Sequence, residues 1–508
     1  MWTEGYVSGI DYTHGYYPEL SPARLQLAAL TAGYDVPECK PGALSYLELG
    51  FGQGLSVNIH AAATGGRFCG TDFNPSHAAN AQSLAAASGA ELTALDDSFG
   101  ELAARTDLPK FDIIALHGIW SWISDANRAL IVDIAKRHLK PAGLFYISYN
   151  VTPGWSPAMP LRHLLTEHAE RSGQGPIADR INNSLDFAQR VVDAGATYFK
   201  ANPAVAERLG KIKDHNRNYL AHEYFNADWH PMPFSRTAAM LEAAKLTFAA
   251  SAHLLDNVDA VNLSADAQKL LGEIPDPVLR QTVRDYFVNQ QFRRDVFIKG
   301  ARPLPPLERI RRLQAQAFAL MVSTEERPEK VTGSLGEANL QETVYKPIFD
   351  ALASDGNSPK TIVQLQSLCE GVDFNQIIQA LQVLIGAGAV APTQDKSSIQ
   401  SSRKATKLLN SELCRRAEAS TDVNHLASPV TGAGVQVNRF EQLFLRAIEL
   451  KEKDAPGYAW RLLKVQGQSI LKEGKALEGD DANLVELRAQ HDSFEANRLP
   501  VLKSLGIA

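Results

Sequence analysis

The sequence predicts an α/β protein whose first part is a mostly parallel sheet covered by helices, followed by two smaller units. Two observations carry this prediction. Short apolar segments alternate with Ala-rich, helix-like segments over residues 43–150, which is the pattern of a sheet buried on both faces. In addition, the first apolar segment enters a glycine-rich turn, Gly50-Phe51-Gly52-Gln53-Gly54. Such a turn lets the backbone approach a ligand closely.

Length and composition set the general class of protein. The chain has 508 residues, of which 45% are hydrophobic and 21% charged, so we expect a globular protein of about three domains. Its net charge of −6 gives no overall attraction to nucleic acid or anionic membrane. No apolar run reaches the ~20 residues of a membrane helix. The N-terminus lacks a signal-peptide pattern, so we expect a cytoplasmic protein.

The cysteines predict neither disulfides nor a metal site. They are scattered along the chain, at Cys39, Cys69, Cys369 and Cys414. None forms a C-x-x-C pair, and no His-rich segment has the spacing of metal ligands. We therefore expect free thiols in a reducing compartment and no bound metal.

Seven strands are expected in the first domain, residues 1–300. The parallel ones are Ser45–Leu49, Arg67–Thr71, 91–95, 112–117 and 144–149, and a turn at 140–143 precedes the fifth. A final antiparallel pair comes late, at 247–254 and 293–299, after a helix at 235–245. Residues 155–234 and 264–290 would then be helical insertions at the carboxyl edge of the sheet, where such segments shape a ligand crevice.

The remaining chain predicts a winged-helix-like module at 301–395 and a mainly helical domain at 404–508. A proline-rich linker at 302–306 leads to helices at 345–353, 358–368 and 373–387 and to a short strand at 389–392. The third helix contains no Lys or Arg, so we expect it to pack against protein and not to bind DNA. The Ser-rich segment 394–403 reads as a second linker.

The glycine turn has a specific spacing. It is G-x-G-x-G preceded by Glu48, whereas a dinucleotide fingerprint would need a glycine at position 55, which is Leu. Asp72 ends the second strand on the order of 20 residues after Gly50, where a ribose-binding carboxylate belongs. The pair resembles motif I and the following acidic loop of class I S-adenosylmethionine (SAM) methyltransferases. The alternative is a purely structural strand-to-helix turn.

Other local motifs narrow the resemblance. They are residues 11–20 (DYTHGYYPEL), 117–122 (HGIWSW), 148–155 (SYNVTPGW), 218–226 (NYLAHEYFN) and, more loosely, 425–432 (HLASPVTG). Together they resemble bacterial methyltransferases with a methyltransferase regulatory domain, including rickettsial-type protein lysine methyltransferases that act on outer-membrane proteins. The resemblance implies a Rossmann-like class I methyltransferase sheet, SAM without a metal, and a protein substrate such as a surface or outer-membrane protein before export. A homodimer is compatible with this architecture.

The resemblance also assigns cofactor-binding roles. Gly50, Gly52 and Gly54 would pass under the methionine part of SAM, and Glu48 or nearby carbonyls would meet its ammonium group. The competing interpretation of Glu48 is a plain charge at the end of the strand. Asp72 would bind the ribose hydroxyls through charge-assisted hydrogen bonds. The remaining cofactor candidates are Phe73 against the adenine, Asp97 and Ser98 after the third strand, with Asp96 as the rival of Asp97, and His117 after the fourth strand.

The catalytic candidates follow from the chemistry of lysine methylation. A lysine amine with a pKa of ~10.4 must lose a proton before it attacks a methyl group, and tyrosine or histidine could accept that proton while aromatic faces hold the cation. The candidates are Tyr12, Tyr16, His117, Trp120, His222 and Tyr224. Tyr6 and Tyr17 belong to the same N-terminal cluster. A single helix cannot direct both His222 and Tyr224 inward.

Three functions stay open on the sequence. The first is a SAM-dependent protein methyltransferase acting on lysine. The second is a small-molecule or glycan N- or O-methyltransferase, since insertions also cap pockets for small substrates. The third is a SAM-binding or regulatory protein without catalysis. For the N-terminal tyrosines and for Trp120, plain packing is the competing interpretation. For His117 it is a histidine that is hydrogen-bonded to loop backbone.

Overall fold

A computed structural model describes residues 12–36, 42–172, 175–215, 217–226 and 228–508. Tyr6 and Cys39 therefore lie outside the described residues. Within them the chain forms a seven-stranded sheet with helices on both faces, and the later helical units pack onto this sheet. The predicted fold class is confirmed.

The sheet has the strand order β3-β2-β1-β4-β5-β7-β6. Strands β1 to β5 are parallel, and β7 runs antiparallel to both β5 and β6. The strands are β1 (Ser45–Leu49), β2 (Arg67–Thr71), β3 (Leu92–Leu95), β4 (Phe111–Leu116), β5 (Leu139–Asn150), β6 (Leu246–Ser251) and β7 (Phe292–Lys299). The turn predicted at 140–143 is a bulge in β5, since pairing with β4 shifts between Phe111 and Ile113.

Helices connect the strands and cover both faces. They are α1 (Pro22–Thr31), α2 (Leu55–Thr64), α3 (Pro75–Ser88), α4 (Phe99–Ala104), α5 (Asp125–His138) and α11 (Phe234–Glu242). The described residues before α1 form an extended segment, residues 12–17, which we call the N-terminal arm, and a 3-10 turn at Pro18–Leu20. The parallel order brings the carboxyl ends of β1 to β5 to one edge, which positions the site.

Two helical segments interrupt the sheet, as predicted. The first contains α6 (Met159–Arg171), α7 (Ile177–Asp193), α8 (Thr197–Ala201), α9 (Pro203–Lys213) and α10 (Arg217–Tyr224), and the second contains α12 (Asp259–Asn262), α13 (Ala265–Glu273) and α14 (Pro277–Phe287). The first segment has a hydrophobic core of its own that includes Leu165, Leu185 and Leu209. It can therefore hold α10 beside the sheet as a firm unit.

The next unit resembles a winged helix in its elements. It contains α15 (Pro306–Gln314), β8 (Ala317–Leu320), β9 (Lys330–Gly333), β10 (Gly336–Asn339), α16 (Glu342–Asn357), β11 (Lys360–Thr361), α17 (Ile362–Leu368), α18 (Phe374–Gly386) and β12 (Val390–Pro392). The third of its main helices, α18, packs on the first domain. Arg24 on α1 donates a hydrogen bond to the Ile385 carbonyl at 2.8 Å, and a Cβ on Gly386 would lie 2.5 Å from Leu255 Cβ.

The last unit is mainly helical, with two small hairpins. Its elements are α19 (Lys396–Ala417), β13 (His425–Ser428), β14 (Ala433–Gln436), α20 (Arg439–Leu450), α21 (Ala455–Val465), β15 (Leu471–Lys472), β16 (Lys475–Ala476), α22 (Gly479–Ser493) and α23 (Leu499–Ser504). The predicted linker at 394–403 is wrong, because most of it is the start of α19. Asp395 caps that helix by accepting the N–H groups of Ser397 and Ser398.

Helix α2 joins the first and last units. Residues 55–63 are all buried, since the sheet lies on one side of α2 while α19 and the β13–β14 hairpin lie on the other. Gln394 bridges the units by donating to the Ala63 and Pro429 carbonyls at 2.7 and 2.8 Å. The helix that follows the glycine turn is thus held by the C-terminal unit as well as by the sheet.

Two further structural facts concern the general predictions. Among the described residues, no helix is long and apolar enough to cross a membrane. Cys69, Cys369 and Cys414 are free, buried thiols.

Candidate active site

The glycine turn leaves β1 at the carboxyl edge of the sheet. Gly50, Gly52 and Gly54 all have positive φ, at 71°, 58° and 75°. A Cβ on Gly50 would lie 2.6 Å from Ile119, and one on Gly54 would lie 2.4 Å from Ala81, so both positions require glycine. A Cβ on Gly52 would meet only the Tyr12 ring, at 3.6 Å. The turn is closely packed at its ends and approachable at its centre.

Asp72 follows β2 and faces this turn. Its Oδ2 accepts the Gly52 N–H at 2.8 Å, while its Oδ1 accepts the Asn74 N–H at 3.1 Å and lies 3.1 Å from His77 Nδ1. A carboxylate offers about four acceptor positions; three are used, so one position, on Oδ2, is left for a ligand hydroxyl. Asp72 therefore fixes the glycine turn, and its ribose-binding role stays a prediction.

Glu48 is buried beneath the N-terminal arm, with 3% of its surface exposed. Burial raises the pKa of its carboxyl to about 8. Its contact with the Tyr46 hydroxyl is long, at 3.5 Å, and within the described residues no cation forms an ion pair with it. A cationic ligand group nearby would favour the ionised form.

The cofactor-binding candidates that follow β2 and β3 differ in their exposure and in their contacts. Phe73 is half-buried next to Asp72, whereas Asp96 is exposed. Asp97 is half-buried and forms an ion pair with Arg105 at 3.1 Å. Ser98 is committed to the start of α4, since its hydroxyl accepts the Glu101 N–H and its own N–H donates to the Glu101 carboxylate. The structure thus gives Ser98 a capping role in place of the predicted cofactor contact.

His117 follows β4 at the centre of the carboxyl edge. Its Nδ1 lies 2.8 Å from the Tyr146 hydroxyl, and Tyr17 stacks on its ring with the centroids 4.1 Å apart. Phe292 meets the same ring edge-on at 5.8 Å. Burial lowers the pKa of His117 to about 4, so the imidazole is neutral at physiological pH and can accept a hydrogen bond.

The N-terminal arm crosses this edge. The Tyr17 N–H donates to Ser56 Oγ at 3.0 Å, and the Tyr12 carbonyl accepts from Gln53 Nε2 at 3.2 Å. The side chains of Tyr12 and Tyr17 are hydrogen-bonded to each other. The arm therefore holds two tyrosines over the segment that contains His117 and the centre of the glycine turn.

Helix α10 approaches the arm from the helical insertion. His222 is 3% exposed, and its ring meets Tyr12 edge-on with the centroids 5.2 Å apart. The half-buried Glu223 is hydrogen-bonded to the Tyr12 side chain, and burial raises the pKa of its carboxyl to about 7. Tyr224 instead lies in the core of the insertion near Trp155. As expected for one helix, His222 and Tyr224 point apart, so Tyr224 is not a site residue.

Two other catalytic predictions are wrong. Tyr16 does not face the crevice, because its hydroxyl lies between His60 Nε2, at 3.1 Å, and the Gly434 N–H, at 2.7 Å. Neighbouring residues of an extended segment point to opposite sides, so Tyr17 occupies the position expected for Tyr16. Trp120 is fully buried in the core between the sheet and α5, where the Arg128 guanidinium lies over its ring at 5.9 Å.

The sequence pointed to Tyr17 only as a member of the tyrosine cluster and to Glu223 only as part of a lid with His222 and Tyr224, and singled out neither as a catalytic residue. The signal for Tyr17 was its membership in the tyrosine cluster, and only the side on which the arm binds the sheet separates it from Tyr16. Glu223 stands between two named candidates, and its contact with Tyr12 joins residues more than 200 positions apart. Neither contact has a local signature.

A separate cavity of about 560 Å³ lies beside β6, against α13 and α14. Its lining includes Arg293, whose guanidinium binds the buried carboxylates of Asp285 and Asp295 at 2.6 and 2.8 Å. None of the predicted site residues lines this cavity. We therefore place the chemistry at the carboxyl edge of the sheet and not in this cavity.

The fold and the site together define a class I SAM-dependent methyltransferase. A methyltransferase domain family matches residues 47–143, and a family described as a predicted methyltransferase regulatory domain matches residues 216–299. The uncharacterized protein sll1526 of Synechocystis sp. is 42% identical over 511 residues, covering 100% of both chains. The chain therefore belongs to the family of methyltransferases that carry this regulatory domain.

Two further comparisons extend the picture. The uncharacterized protein RP789 of Rickettsia prowazekii is 27% identical over 297 residues, covering 56% of this chain and 51% of that protein. The structure of PKMT2 from Rickettsia typhi aligns with a TM-score of 0.67 at 14% identity, over 98% of this chain and 99% of PKMT2. PKMT2 has also been solved in complex with AdoHcy, S-adenosylhomocysteine. At this identity the likeness shows that the whole chain shares the PKMT2 fold.

The residues at the carboxyl edge fit SAM. The approachable centre of the glycine turn at Gly52 and the remaining acceptor position on Asp72 Oδ2 suit its methionine and ribose parts. The Glu48 carboxyl, whose pKa burial raises to about 8, suits its ammonium group, since a cation beside it would favour the ionised form. Within the described ranges, the structure brings together no three His, Cys, Asp or Glu side chains that could hold a metal ion.

Proposed function

We propose that this methyltransferase methylates the amine of lysine side chains in a protein substrate. The observation that carries the proposal is the Glu223–Tyr12–Tyr17 network, which lies beside the His117 ring. It combines a carboxyl whose pKa is about 7 with several aromatic faces. An ammonium group is attracted by such faces and by a carboxylate, and it must transfer a proton before it can react.

The residues have distinct tasks in this mechanism. When bound, SAM supplies an electrophilic methyl group on a sulfonium. Glu48, Gly52 and Asp72 hold and orient the donor, while the arm and α10 exclude water. Glu223 accepts the proton of the lysine ammonium, directly or through the Tyr12 hydroxyl. The neutral His117 accepts a hydrogen bond from the incoming amine and thereby directs its lone pair.

Glu223 is the residue whose chemistry distinguishes a catalytic site from a group of side chains that only pack together. A carboxylic acid with an ordinary pKa near 4.3 would be a weak base for an ammonium ion. Burial raises the pKa of Glu223 to about 7, and the hydrogen bond with Tyr12 only partly offsets this rise. A carboxyl kept this basic at the mouth of a methyl-transfer site is suited to proton abstraction.

The test compares acceptors and variants. Purified protein is incubated with labelled SAM and a lysine-rich peptide, the same peptide with acetylated lysines, or a mixture of small amines and saccharides, and the products are read by intact mass spectrometry. Methylation of the free lysine peptide alone is expected. Label in small molecules only would favour the small-substrate alternative, and donor binding without any transfer would favour a non-catalytic role.

The matched variants are Glu223→Gln and Glu207→Gln. Glu223→Gln should lower methyl transfer by roughly 10²- to 10⁴-fold, the contribution of a general base, while the affinity for S-adenosylhomocysteine stays unchanged. Glu207 lies on α9 of the same insertion and serves as the control, with transfer expected at the wild-type rate. Full activity of Glu223→Gln would overturn the assignment of Glu223 as the base.

A further inference from the structure

We propose that the C-terminal unit positions the N-terminal arm, with Tyr16 as the residue that connects them. This inference rests on the proposed role of the arm and adds a task for the last hundred residues of the chain. Tyr16 is 8% exposed and lies at a junction of three elements: the arm, α2 and the β13–β14 hairpin. The arm supplies residues of the site, and α2 follows the glycine turn.

The hydroxyl of Tyr16 can both accept and donate a hydrogen bond. It accepts the Gly434 N–H at 2.7 Å and lies 3.1 Å from His60 Nε2. Burial lowers the pKa of His60 to about 3, so the imidazole is neutral and its Nε2 can accept the Tyr16 proton. One hydroxyl therefore ties the backbone of the hairpin to a side chain of α2 in a region without water competition.

The hairpin is shaped to receive the ring. A Cβ on Gly434 would lie 2.7 Å from Tyr16 Cζ, so any larger residue would displace the tyrosine. The His425 ring covers the other part of Tyr16 with the centroids 4.7 Å apart. Gly434 does not have a positive φ, so the reason for glycine here is the close approach of the ring and not the backbone conformation.

The junction sets the position of the site residues because the arm is extended. Tyr17 is the next residue; its N–H binds Ser56 on α2, and its ring stacks on His117. Tyr17 is in turn hydrogen-bonded to Tyr12, which contacts Glu223. With Tyr16 fixed on one side of the arm, Tyr17 is held on the other side over the reaction centre. Tyr16 thus acts through Tyr17 and is a positioning residue.

Two variants test the junction from opposite sides, in the full-length protein. Tyr16→Phe removes only the hydroxyl, and Gly434→Ala pushes the ring from the hairpin. The control is Tyr458→Phe, which removes another buried hydroxyl of the C-terminal unit, one that donates to Glu418 at 2.9 Å and does not contact the arm. Thermal melts of all three variants show how much stability each change costs.

The decisive readouts are ones that a purely structural residue would not move. Hydrogen–deuterium exchange of the segment 12–20 should accelerate about tenfold in Tyr16→Phe and Gly434→Ala, the factor that corresponds to one net hydrogen bond, and not in Tyr458→Phe. Methyl transfer to the lysine-rich peptide should lose a similar factor in kcat. The affinity for S-adenosylhomocysteine, measured by calorimetry, should change less than twofold.

The possible outcomes separate this inference from the proposed function. Unchanged exchange of the arm in both variants would overturn the inference, and so would faster exchange with normal turnover per folded molecule. Loss of methyl transfer in Glu223→Gln but not in Tyr16→Phe would retain the proposed function and reject the junction. If wild-type protein leaves the lysine peptide unmodified, the lysine proposal fails, and the exchange data still decide whether the hairpin holds the arm.

Discussion

At the scale of single residues, Asp72 has two tasks that a substitution would disturb together. Its carboxylate fixes the glycine turn through the Gly52 N–H at 2.8 Å and keeps one acceptor position, on Oδ2, for a ligand. Asp72→Ala should therefore reduce the affinity for S-adenosylhomocysteine by about 1.5–3 kcal/mol, the range of hydrogen bonds to charged groups. Titration calorimetry measures this value. Asp107→Ala, which removes a carboxylate paired with Arg105 at the surface, is the control, and equal affinities in the two variants would reject the ribose assignment.

Glu223 links activity to pH. Its pKa in the folded protein is raised by burial to about 7, so the base is formed as the pH rises through 7. The rate of methyl transfer under single-turnover conditions should rise with a step near pH 7, and this step should be absent in Glu223→Gln. A wild-type profile that rises only with the acceptor amine, near its own pKa of ~10.4, would show that Glu223 is not the base.

The raised pKa of Glu223 also predicts that its ionisation lowers the stability of the folded protein. Because the folded state binds the Glu223 proton more tightly than the unfolded state, stability falls as the pH rises from about 4.5, where the unfolded carboxyl ionises, through about 7. Glu223→Gln should thus unfold at higher denaturant concentration than wild type at pH 8 and show little difference at pH 4. Greater stability together with lower turnover is the signature of a residue retained for function.

At the scale of elements, the N-terminal arm is anchored at its end by a buried charge cluster. Glu19, in the 3-10 turn after the arm, lies 3.3 Å from Arg294, 3.3 Å from His253 and 4.0 Å from Arg24. Burial raises the pKa of Glu19, but the His253 hydrogen bond and the two guanidiniums outweigh it and leave the pKa below its usual range. The cluster therefore stabilises the fold above the unfolded-state pKa, and this contribution is lost as the pH falls below it.

Glu19→Gln should leave these cations partly uncompensated. The loss of one partner from a buried ion pair costs roughly 3 kcal/mol, which denaturant unfolding at pH 7 would measure. Glu91→Gln, which removes an exposed partner of Arg67, should match wild type. The difference in the free energy of unfolding between the two variants should become smaller as the pH falls below about 4.5. A constant difference from pH 7 to pH 3 would show that packing, and not charge, accounts for the loss.

The elements also show which predictions a sequence allows. Strands β1 and β2, the glycine turn and Asp72 could be predicted because glycine spacing, apolar runs and terminal acids are local signals. Helix α19 was misread as a linker because Ser-rich segments usually avoid helices. Here Ser398, Ser402 and Thr406 are buried, and small polar side chains permit α19 to pack closely on α2. That benefit depends on the neighbouring helix, which the local sequence does not contain.

The site shows the same difference between local signals, which a sequence contains, and contacts between residues far apart in the chain, which it does not reveal. Local motifs were enough to propose His117 and His222, but the choice between Tyr16 and Tyr17 depends on which side of an extended arm faces the sheet. That side is decided by Gly434, which accommodates the Tyr16 ring from more than 400 positions away. Trp120 was misassigned because an aromatic residue after a strand can either line a crevice or enter the core, and the Arg128 contact that favours the core is tertiary.

At the scale of the whole molecule, shared cores predict cooperative unfolding. One hydrophobic cluster joins α1 and the sheet to α18, for example through Leu30, Tyr46 and Leu384, and a second joins α2 to the C-terminal helices. Units that share a core cannot melt without exposing each other's apolar surface. We expect the described units to unfold in one main calorimetric transition, although a chain of this length usually shows several.

Ligand binding tests this expectation, because the cofactor site contacts only the first unit. At a concentration of 100 times its Kd, S-adenosylhomocysteine should stabilise the folded state by about 2.7 kcal/mol. If the units are coupled through α2, the whole transition should move to higher temperature, including the signal of Trp460 in the C-terminal unit. If the C-terminal unit melts separately, its transition should stay in place while the first one moves. The second result would contradict the shared core and would also weaken the case that the β13–β14 hairpin holds the arm, since a hairpin that melts independently could not fix Tyr16.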